Sequence, residues 1–258
     1  MTIKAFAKVN IFLKIVGTKE NYHLISSRFM RVTNFYDTIE FEKKESKSNN
    51  FLLLGKFGCT TEQNTIFKAY KALLKESKSE KVKTFFKEYQ VRVTKKIPEF
   101  AGLGGGSSDA ASFLNLTNDV LGLNIKKDEL SHIGSKIGAD VPFFIYNYPS
   151  ANVSGIGEIV EPFEEKVLHL ETITPKIKCF TAKVYQKYRE SYMKNIDIDF
   201  AKELSNKNSK NILETYDASR LNDLLEPCFD IYDELKDYKK KNWFFSGSGS
   251  TFFRISDG

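Results

Sequence analysis

A run of glycine and serine at residues 102–108 constrains the fold of this chain more than any other feature. Four of the five positions from Gly102 to Gly106 are glycine, and Ser107 and Ser108 follow before an alanine-rich segment. Ordering glycine is costly, by about 0.5–1 kcal/mol per residue relative to alanine. Glycine also lets main-chain N–H groups converge on one point, and at a helix N-terminus those groups bind anions. The run therefore predicts a phosphate-binding loop that opens a helix.

Two familiar phosphate loops are excluded by the residues around this run. A Walker A loop ends in Gly-Lys-Ser or Gly-Lys-Thr, yet no lysine occurs between Lys96 and Lys126. The dinucleotide fingerprint GxGxxG requires a third glycine at position 107, which is Ser107. A flexible turn between a strand and a helix is the plain alternative. We favour a phosphate loop of a third kind.

Hydrophobic periodicity in the first half of the chain predicts both strands and helices. Residues 3–15 alternate apolar and polar side chains, as in a strand with one buried face, which places Lys8 beside Asn10 on the other face. A loop over 17–23 and a strand over 31–44 follow. The remaining predictions are a helix from residue 62 capped by Asn64, a strand at 89–98, a helix after the glycine run, a second helix from residue 128, a turn at 138–140 and an aromatic strand up to residue 146.

The second half of the chain mixes short strands with helices. The pattern predicts a hairpin over 151–163, short strands such as 176–185, helices around 218–238, and a closing strand, Ser-Gly loop and strand over 242–256. These elements lack the regular alternation of a doubly wound sheet. The predicted fold class is therefore α+β.

The composition is that of a folded protein in a reducing compartment. Hydrophobic residues make up 41 % of the 258, which is ample for a core. The net charge of +6 suits acidic ligands such as phosphates or nucleic acid, although a lysine-rich surface is the simpler explanation. The three cysteines and three histidines are scattered, so neither a disulfide framework nor a zinc site is predicted. With no apolar signal-peptide core and no stretch of membrane-spanning length, we expect a cytoplasmic protein.

Seven short motifs follow one another along nearly the whole chain. They are AKVNIFLKIVG with the following Tyr-His pair, EQNTI, LGGGSSDAA, IGADVPFF, SGIGE, LNDLLEP and SGSGSTFF. In this order they resemble the GHMP kinases, and within that superfamily they are most similar to the branch that phosphorylates a CDP-linked methylerythritol. Each alone is a weak signal, whereas seven in the same order are not expected by chance.

The resemblance implies a reaction, a cofactor and a fold. It implies an ATP-dependent kinase of the non-mevalonate isoprenoid pathway, which phosphorylates the 2-hydroxyl of the CDP-linked acceptor and releases ADP, with Mg²⁺ as the metal. It also implies an ATP-binding domain over 1–162 with a left-handed βαβ unit, and a ferredoxin-like, substrate-side domain over 163–258. The expected partner is the small-molecule acceptor, with no nucleic acid and no membrane. A monomer or a homodimer is expected.

The resemblance further implies roles for residues at matching positions. Asp140, in the turn IGADVP, matches the catalytic base, and Lys8 matches a lysine that pairs with it and stabilises the ionised alcohol. On local sequence alone, Asp140 as a turn residue and Lys8 as one more surface lysine stay open. The matching ATP-binding positions are Asn64, Lys95, Gly102, Gly104, Gly105, Gly106, Ser107 and Ser108. The matching acceptor-binding positions are Asn10, Tyr22, His23, Thr181 and Tyr185.

The acceptor positions divide by chemistry. Tyr22 and Tyr185 are expected to stack on cytosine and His23 to read its hydrogen-bonding edge, while Asn10 suits the polyol. Core packing is the alternative for both tyrosines, as a plain helix cap is for Asn64. The loop at 246–253 is expected near the acceptor's phosphates, with a tight hairpin turn as its alternative. The magnesium ligands stay open, with Ser108 as one candidate.

The chain departs from the family pattern just before two of these motifs. Glu99, Phe100 and Ala101 stand where the loop usually carries further glycines, and Glu20 with Asn21 replaces the usual Asp-Gly before the Tyr-His pair. Two other functions stay open on the sequence. One is a GHMP kinase for homoserine or mevalonate, which carry no base to stack. The other is a nucleic-acid-binding module, since the left-handed βαβ unit also occurs in ribosomal proteins.

Overall fold

Two compact units make up the chain, and each is assembled from separate stretches of sequence. The computed structural model describes residues 1–77 and 80–256. The first unit comprises Met1–Ala7, Thr33–Ile97 and Gly105–Asn147, and the second comprises Lys8–Val32, Pro98–Gly104 and the chain from Tyr148 onward. The two sequence-contiguous domains, 1–162 and 163–258, stay a prediction.

Two long strands, β1 (Thr2–Lys19) and β2 (Tyr22–Lys43), pair with each other and contribute to both units. The predicted loop over 17–23 is wrong, because the turn between them takes only Glu20 and Asn21. Glu20 has a φ of 54°, in the left-handed region that tight hairpin turns use. Tyr22 and His23 therefore open a strand instead of lying in a loop.

The burial of β1 differs from the expected single buried face. Every residue from Ala7 to Ile15 is buried, including Lys8, Asn10 and Lys14. Polar side chains can be buried in this way when they are hydrogen-bonded. The Lys8 amine donates to the Asn10 amide oxygen at 2.6 Å, and Lys14 forms an ion pair with Asp223. The predicted pairing of Lys8 with Asn10 on one face is confirmed.

The first unit packs helices against strands. β4 lies antiparallel to β2, with Phe41 opposite Val91, and parallel to β3. Phe51 stacks on Tyr70 with ring centroids 4.2 Å apart, and Phe86 contacts both Tyr70 and Phe41. The elements are β3 (Leu53–Leu54), α1 (Thr65–Ser77), α2 (Glu80–Glu88), β4 (Tyr89–Thr94), α3 (Gly105–Leu121), α4 (Lys127–Ser135) and α5 (Val141–Tyr146).

The aromatic strand predicted up to residue 146 is wrong, because VPFFIY forms the short helix α5. A short apolar run that is buried throughout has no periodicity to separate strand from helix. Pro142 lies in the first turn, where a helix tolerates proline, and Asn147 ends the helix with a φ of 60°. The predicted strand at 89–98 and the helices after residues 62, 105 and 127 are confirmed.

The second unit combines short sheets with helices. The predicted hairpin is confirmed, since β5 pairs antiparallel with β6, and β5 also pairs with β2. A three-stranded sheet has the order β7–β9–β8, which confirms the closing strand–loop–strand. The elements are β5 (Ser150–Ser154), β6 (Ile159–Pro162), β7 (Leu170–Ile173), α6 (Thr181–Ser191), α7 (Ile198–Asn206), α8 (Ser209–Thr215), α9 (Ala218–Leu221), α10 (Leu225–Ile231), β8 (Phe244–Phe245) and β9 (Phe252–Ile255), with 3₁₀ turns at Met193–Asn195 and Asp233–Tyr238.

The short strands predicted at 176–185 are wrong, because α6 begins at Thr181. Val184 and Tyr188, four residues apart, form the buried stripe of this helix. The helices predicted around 218–238 are confirmed, so the chain has the mixed α+β content that the sequence predicted. No helix in the part of the chain that the structure describes is both long and apolar enough to cross a bilayer.

A buried ion pair anchors the second unit. The guanidinium of Arg28 and the carboxylate of Glu165 are 3.2 Å apart, with side chains 0 % and 1 % exposed. Arg28 also donates to the Asn152 side chain at 2.7 Å and to the Ser205 carbonyl at 2.8 Å. Its guanidinium carbon lies 3.3 Å from the ring centroid of Phe163. Removing one member of such a pair leaves an uncompensated buried charge.

We expect Arg28→Ala to lower the free energy of unfolding by about 3–5 kcal/mol, because Glu165 would stay buried without its counter-ion. Urea unfolding of the variant and the parent protein measures this change. Arg92→Ala is the matched control, since the Arg92–Glu42 pair lies at the surface and its loss should change stability far less. Equal losses in the two variants would contradict the prediction.

Candidate functional site

The predicted site residues fall into two sets, one in each unit. The glycine run itself is divided, since Gly102 and Gly104 belong to the second unit and Gly105 begins the part in the first. The set in the first unit is Asn64, Lys95, Gly105, Gly106, Ser107, Ser108 and Asp140. The set in the second unit is Lys8, Asn10, Tyr22, His23, Gly102, Gly104, Thr181 and Tyr185.

The later half of the glycine run forms the first turn of α3. The helix begins at Gly105, so residues 105–108 are helical and not a loop ahead of the helix. The first four N–H groups of an α-helix have no partner inside it, and they lie at the positive end of the helix dipole. Ser107 is half-buried whereas Ser108 is only 1 % exposed, so the Ser107 hydroxyl is the more accessible. This turn has the polar groups of an anion site.

The start of α1 is tied to the start of α3. The Thr65 hydroxyl donates to the Gly106 carbonyl at 2.6 Å. The Asn64 side-chain oxygen accepts from the Ile66 N–H at 2.9 Å, which confirms Asn64 as the N-cap of α1. Its contact with ATP stays a prediction, and capping leaves the amide NH₂ group available for a ligand.

Asp140 lies immediately before α5, in the turn that follows α4. It is half-buried, and its side chain makes no capping hydrogen bond to α5. A Cβ built at Gly138, two residues earlier, would lie 3.6 Å from the Ser107 hydroxyl oxygen. The turn that carries the predicted base is therefore adjacent to the first turn of α3 within the same unit.

Lys95 is held between two buried aspartates that the sequence analysis missed. Its amine lies 2.7 Å from an Asp109 carboxylate oxygen and also bonds Asp37. The other oxygen of Asp37 accepts the N–H groups of Lys96 at 2.5 Å and Ile97 at 2.8 Å. Burial opposes the charge on Lys95, but the carboxylates of Asp109 and Asp37 prevail and raise its pKa.

This trio joins the end of β4 to the first turns of α3. Asp109 is 3 % exposed, and its Oδ1 atom has no hydrogen-bond partner among the residues that the structure describes. Burial raises the pKa of Asp109 to about 7, although Lys95 favours its ionised form. The Lys95 amine also lies 3.6 Å from where a Cβ of Gly105 would stand. Asp109 could have been recognised in the sequence as an acidic residue within the apolar stretch that follows Ser108.

We expect the stability of the parent protein to fall as pH rises because of Asp109, and the stability of Asp109→Asn not to show this fall. The native carboxyl, with its raised pKa, holds a proton that the unfolded chain releases near pH 4, so its ionisation destabilises the fold as pH climbs from about 4 to about 7. The free energy of unfolding of the variant, relative to that of the parent, should therefore rise from about pH 4 to about pH 7 and stay constant at higher pH. Chemical unfolding between about pH 5 and about pH 8 measures both curves.

The matched control is Asp119→Asn, at an exposed aspartate of the same helix. Its difference from the parent should stay small across the same range. Parallel stability curves for Asp109→Asn and the parent protein would show that burial does not disfavour the Asp109 carboxylate.

In the second unit, Lys8 and Asn10 form a buried polar pair on β1. The Lys8 amine lies 4.4 Å from the ring centroid of Phe29, and it donates to Asn10. The Asn10 NH₂ group donates to the Ser27 hydroxyl at 2.9 Å. Both ends of the Asn10 amide are thus occupied inside the unit. Its contact with the acceptor's polyol stays a prediction.

The earlier half of the glycine run packs against the Ser-Gly loop at 246–251. Gly102 has a φ of 75°, and a Cβ there would lie 2.1 Å from the Ser246 carbonyl oxygen, so only glycine fits. The Ser246 hydroxyl donates to the Gly102 carbonyl at 2.9 Å, and the Thr251 N–H donates to the Ala101 carbonyl at 3.1 Å. The two loops therefore form one assembly, which is held by hydrogen bonds and by close contact of their backbones.

The Thr181 hydroxyl lies at this assembly and is 2.8 Å from the Ser248 hydroxyl. Thr181 and Tyr185 are four residues apart on α6, on one face of the helix. Tyr185 extends that face towards His23, at a distance of 5.0 Å between ring centroids. The helix thus joins the Ser-Gly loop to an aromatic cluster.

His23 lies at the centre of that cluster. It is 7 % exposed, and Tyr188 approaches it edge-on at 5.8 Å. Its Nε2 atom is buried and has no hydrogen-bond partner in the described ranges, 1–77 and 80–256. Burial, assisted by the charge of Arg189, lowers the pKa of His23 and favours the neutral ring. Tyr22 is 59 % exposed, so core packing does not explain it.

The described part of the first unit offers few oxygen ligands for Mg²⁺ near the first turn of α3. Over residues 1–77 and 80–256, no cluster of three or more His, Cys, Asp or Glu side chains could hold a metal ion. Mg²⁺ commonly takes one or two protein ligands and completes its shell with phosphates and water. The Ser107 hydroxyl and the Asp140 carboxylate are oxygen ligands of the kind it prefers. They fit a metal held mainly through a bound nucleotide.

Comparisons with known proteins find relatives over nearly the whole chain. A family model described as GHMP kinases N terminal domain matches residues 64–148, which include α1, α3 and the Asp140 turn. The 4-diphosphocytidyl-2-C-methyl-D-erythritol kinase of Sulfurimonas denitrificans is 52 % identical over 257 residues, covering 98 % of this chain and 96 % of that protein. A protein of the same name from Campylobacter jejuni is 40 % identical, covering 98 % and 99 %.

Solved structures give the same result for the fold. The chain matches a crystal structure titled 4-(cytidine 5'-diphospho)-2C-methyl-D-erythritol kinase with a TM-score of 0.77 and 26 % identity, covering 100 % of this chain and 91 % of that one. The mevalonate kinase of Methanococcus jannaschii matches with a TM-score of 0.64 at 16 % identity, a likeness of fold alone.

Proposed function

The chain belongs to the 4-diphosphocytidyl-2-C-methyl-D-erythritol kinase family of the GHMP kinases, and on that premise we propose that it transfers the γ-phosphate of ATP to the 2-hydroxyl of 4-diphosphocytidyl-2-C-methyl-D-erythritol. The products are ADP and the 2-phosphate, in the non-mevalonate route to isoprenoid precursors. The observation that carries the proposal is the close similarity, over nearly the whole chain, to relatives of that name.

ATP is the phosphoryl donor, and we assign its phosphates to the first turn of α3. Phosphoryl transfer depends mainly on positioning and on neutralising charge. The N–H groups of residues 105–108 supply fixed partial charges without a lysine in the loop. Gly102 and Gly104, both with positive φ, complete the run. Asn64 and Lys95 are proposed to line the nucleotide site, since both lie beside this helix start.

Asp140 is proposed as the base that accepts the proton of the acceptor hydroxyl. It is half-buried, makes no cap to α5, and lies in a turn adjacent to Ser107. Lys8 is proposed as the cation that stabilises the ionised alcohol, with Asn10 orienting its amine. Mg²⁺, when bound, would neutralise charge on the phosphates, and Ser107, Ser108 and Asp140 are the residues that would hold it.

The acceptor's cytosine is assigned to the cluster around His23. A neutral imidazole has one donor and one acceptor nitrogen, which suits the edge of a base. The buried Nε2 without a partner in the described chain favours a ligand there. The exposed ring of Tyr22 and the ring of Tyr185 are the proposed stacking surfaces, and Thr181 with the loop at 246–251 is the proposed site of the diphosphate.

The test of this function is ADP release from ATP and Mg²⁺ with each of three acceptors. Turnover is expected with 4-diphosphocytidyl-2-C-methyl-D-erythritol and not with homoserine or mevalonate, which have no base for Tyr22 and His23. Turnover with a control acceptor alone would assign a different substrate to the same fold.

We also propose a cytoplasmic monomer or homodimer without nucleic-acid partners. Sedimentation would check the oligomeric state, and purification with and without nuclease treatment would check for bound nucleic acid.

We expect Asp140→Asn to remove most turnover while binding of ATP in the absence of Mg²⁺ stays within about twofold, because the amide keeps the shape but cannot accept the proton. Steady-state kinetics and calorimetric titration with ATP measure the two quantities. Asp119→Asn, on the exposed side of α3, is the control for loss of one negative charge. Unchanged turnover in Asp140→Asn would exclude this residue as the base.

We expect Tyr22→Ala to weaken acceptor binding by about tenfold or more, since base stacking on an aromatic ring is worth roughly 1–3 kcal/mol. The KM for ATP should stay unchanged, because Tyr22 belongs to the acceptor set. The exposed Tyr238, on the 3₁₀ turn near residue 235, supplies the control variant Tyr238→Ala. Equal losses for ATP and acceptor would assign Tyr22 a structural role.

A further inference from the structure

Phe100 occupies a backbone conformation that disfavours its own side chain. Its φ is 58°, in the left-handed region that bulky residues rarely adopt. Glycine, which has no Cβ, adopts that conformation without strain, so a phenylalanine is costly at this position. Burial of the benzyl group offsets this strain only in part, because Phe100 is 44 % exposed. Stability alone therefore does not account for a phenylalanine at this position.

The backbone is held by hydrogen bonds at Phe100 and at the two residues that follow it. Its carbonyl accepts the Cys179 N–H at 3.1 Å, and the next carbonyl, that of Ala101, accepts from Thr251. The Gly102 carbonyl then accepts from the Ser246 hydroxyl. The exposed ring therefore projects from a rigid support that includes the Ser-Gly loop.

A second exposed aromatic ring lies against it. Phe180 is also 44 % exposed, and the two ring centroids are 5.1 Å apart at an interplanar angle of 44°. The Lys178 amine lies 6.0 Å from the Phe100 centroid and the Lys183 amine 5.5 Å from the Phe180 centroid. An apolar surface with two flanking cations is the result, and it suits a ligand that joins an apolar group to negative charge.

Phe180 directly precedes Thr181, whose hydroxyl contacts Ser248 of the Ser-Gly loop. The surface thus borders the loop to which the acceptor's diphosphate is assigned. The acceptor carries a methyl group on the carbon that bears the reacting hydroxyl, and its diphosphate is doubly charged. Those two groups match the rings and the lysines respectively.

We propose that Phe100 and Phe180 clamp the diphosphate–methylerythritol end of the bound acceptor, with Lys178 and Lys183 facing its diphosphate. The proposal rests on the function proposed above and adds specificity-determining residues that none of the sequence motifs includes. Cytosine recognition is left to Tyr22 and His23.

The informative variant is Phe100→Gly, which removes the ring and suits the left-handed backbone. We expect the KM for the full acceptor to rise about tenfold, as for loss of one aromatic contact, in both Phe100→Gly and Phe180→Ala. The KM for ATP and the dissociation constant of CMP should not change, because neither ligand reaches the clamp. In the double variant the loss should be smaller than the product of the two single losses, since the rings act as a pair.

Two controls separate the ring from the backbone. Asn124→Gly relaxes another exposed residue with a φ of 56° and removes no aromatic ring, so its kinetics should equal those of the parent. Thermal unfolding of Phe100→Gly should occur at or above the parent's temperature. A clear drop in that temperature would make Phe100 a packing residue and overturn the proposal.

An unchanged acceptor KM in Phe100→Gly, or an equal loss for CMP, would also overturn the clamp while leaving the kinase function intact. If the parent protein does not turn over the acceptor, the proposed function fails, and direct titration with the acceptor then decides the clamp. Weaker binding by Phe100→Gly than by the parent supports it. Equal binding by the two proteins, or no binding by either, refutes the clamp. Loss of dimerisation as the sole effect of Phe100→Gly also refutes it.

Discussion

The close approach of two backbones at Gly102 and Ser246 is the constraint on which the arrangement of loops in the second unit depends. No side chain fits at Gly102, because its Cβ would lie 2.1 Å from a carbonyl oxygen. The hydrogen bonds at this contact align the Ser-Gly loop, the start of the glycine run and, through the Asn10 N–H to Ser246, the polar pair on β1. Glycine is therefore required here for contact between parts of the same chain, as it is at Gly105, where a Cβ would lie 2.8 Å from Ile97, whereas a Cβ at Gly106 would make only ordinary contacts with Thr65.

Buried charge is arranged differently in the two units. In the second unit, Arg28 and Glu165 are saturated by hydrogen bonds, so the pair is an anchor with no capacity left for a ligand. In the first unit, two carboxylates share the amine of Lys95, and one oxygen of Asp109 is left over within the described structure. Burial raises the pKa of the Asp109 carboxyl, and this group lies beside the helix turn assigned to the nucleotide.

The sequence was most informative where hydrophobic periodicity and turn-forming or capping residues predicted the same element. The long strands, the cap at Asn64 and the Ser-Gly hairpin followed from local rules, and motif order predicted the family. Secondary-structure prediction failed where burial removes the periodic signal, as in VPFFIY, or where apolar and polar residues alternate by accident, as in KIKCFTAKVY. The aspartates around Lys95 were missed because Asp37 and Asp109 are 72 residues apart in the sequence, and only the fold brings both to one amine. The left-handed backbone of Phe100 was equally inaccessible, because it is set by hydrogen bonds to Cys179 and the Ser-Gly loop.

The interleaved construction of the two units has a consequence for synthesis. Asn10 of β1 and its hydrogen-bond partner Ser246 are separated by 236 positions, and β9 pairs with both β7 and β8. A ribosome delivers residues 8–32 long before β8 and β9, which complete their unit. The second unit therefore closes only after residue 255 has been translated, and a fragment cut at residue 162 would lack the Ser-Gly loop that its own glycine run requires.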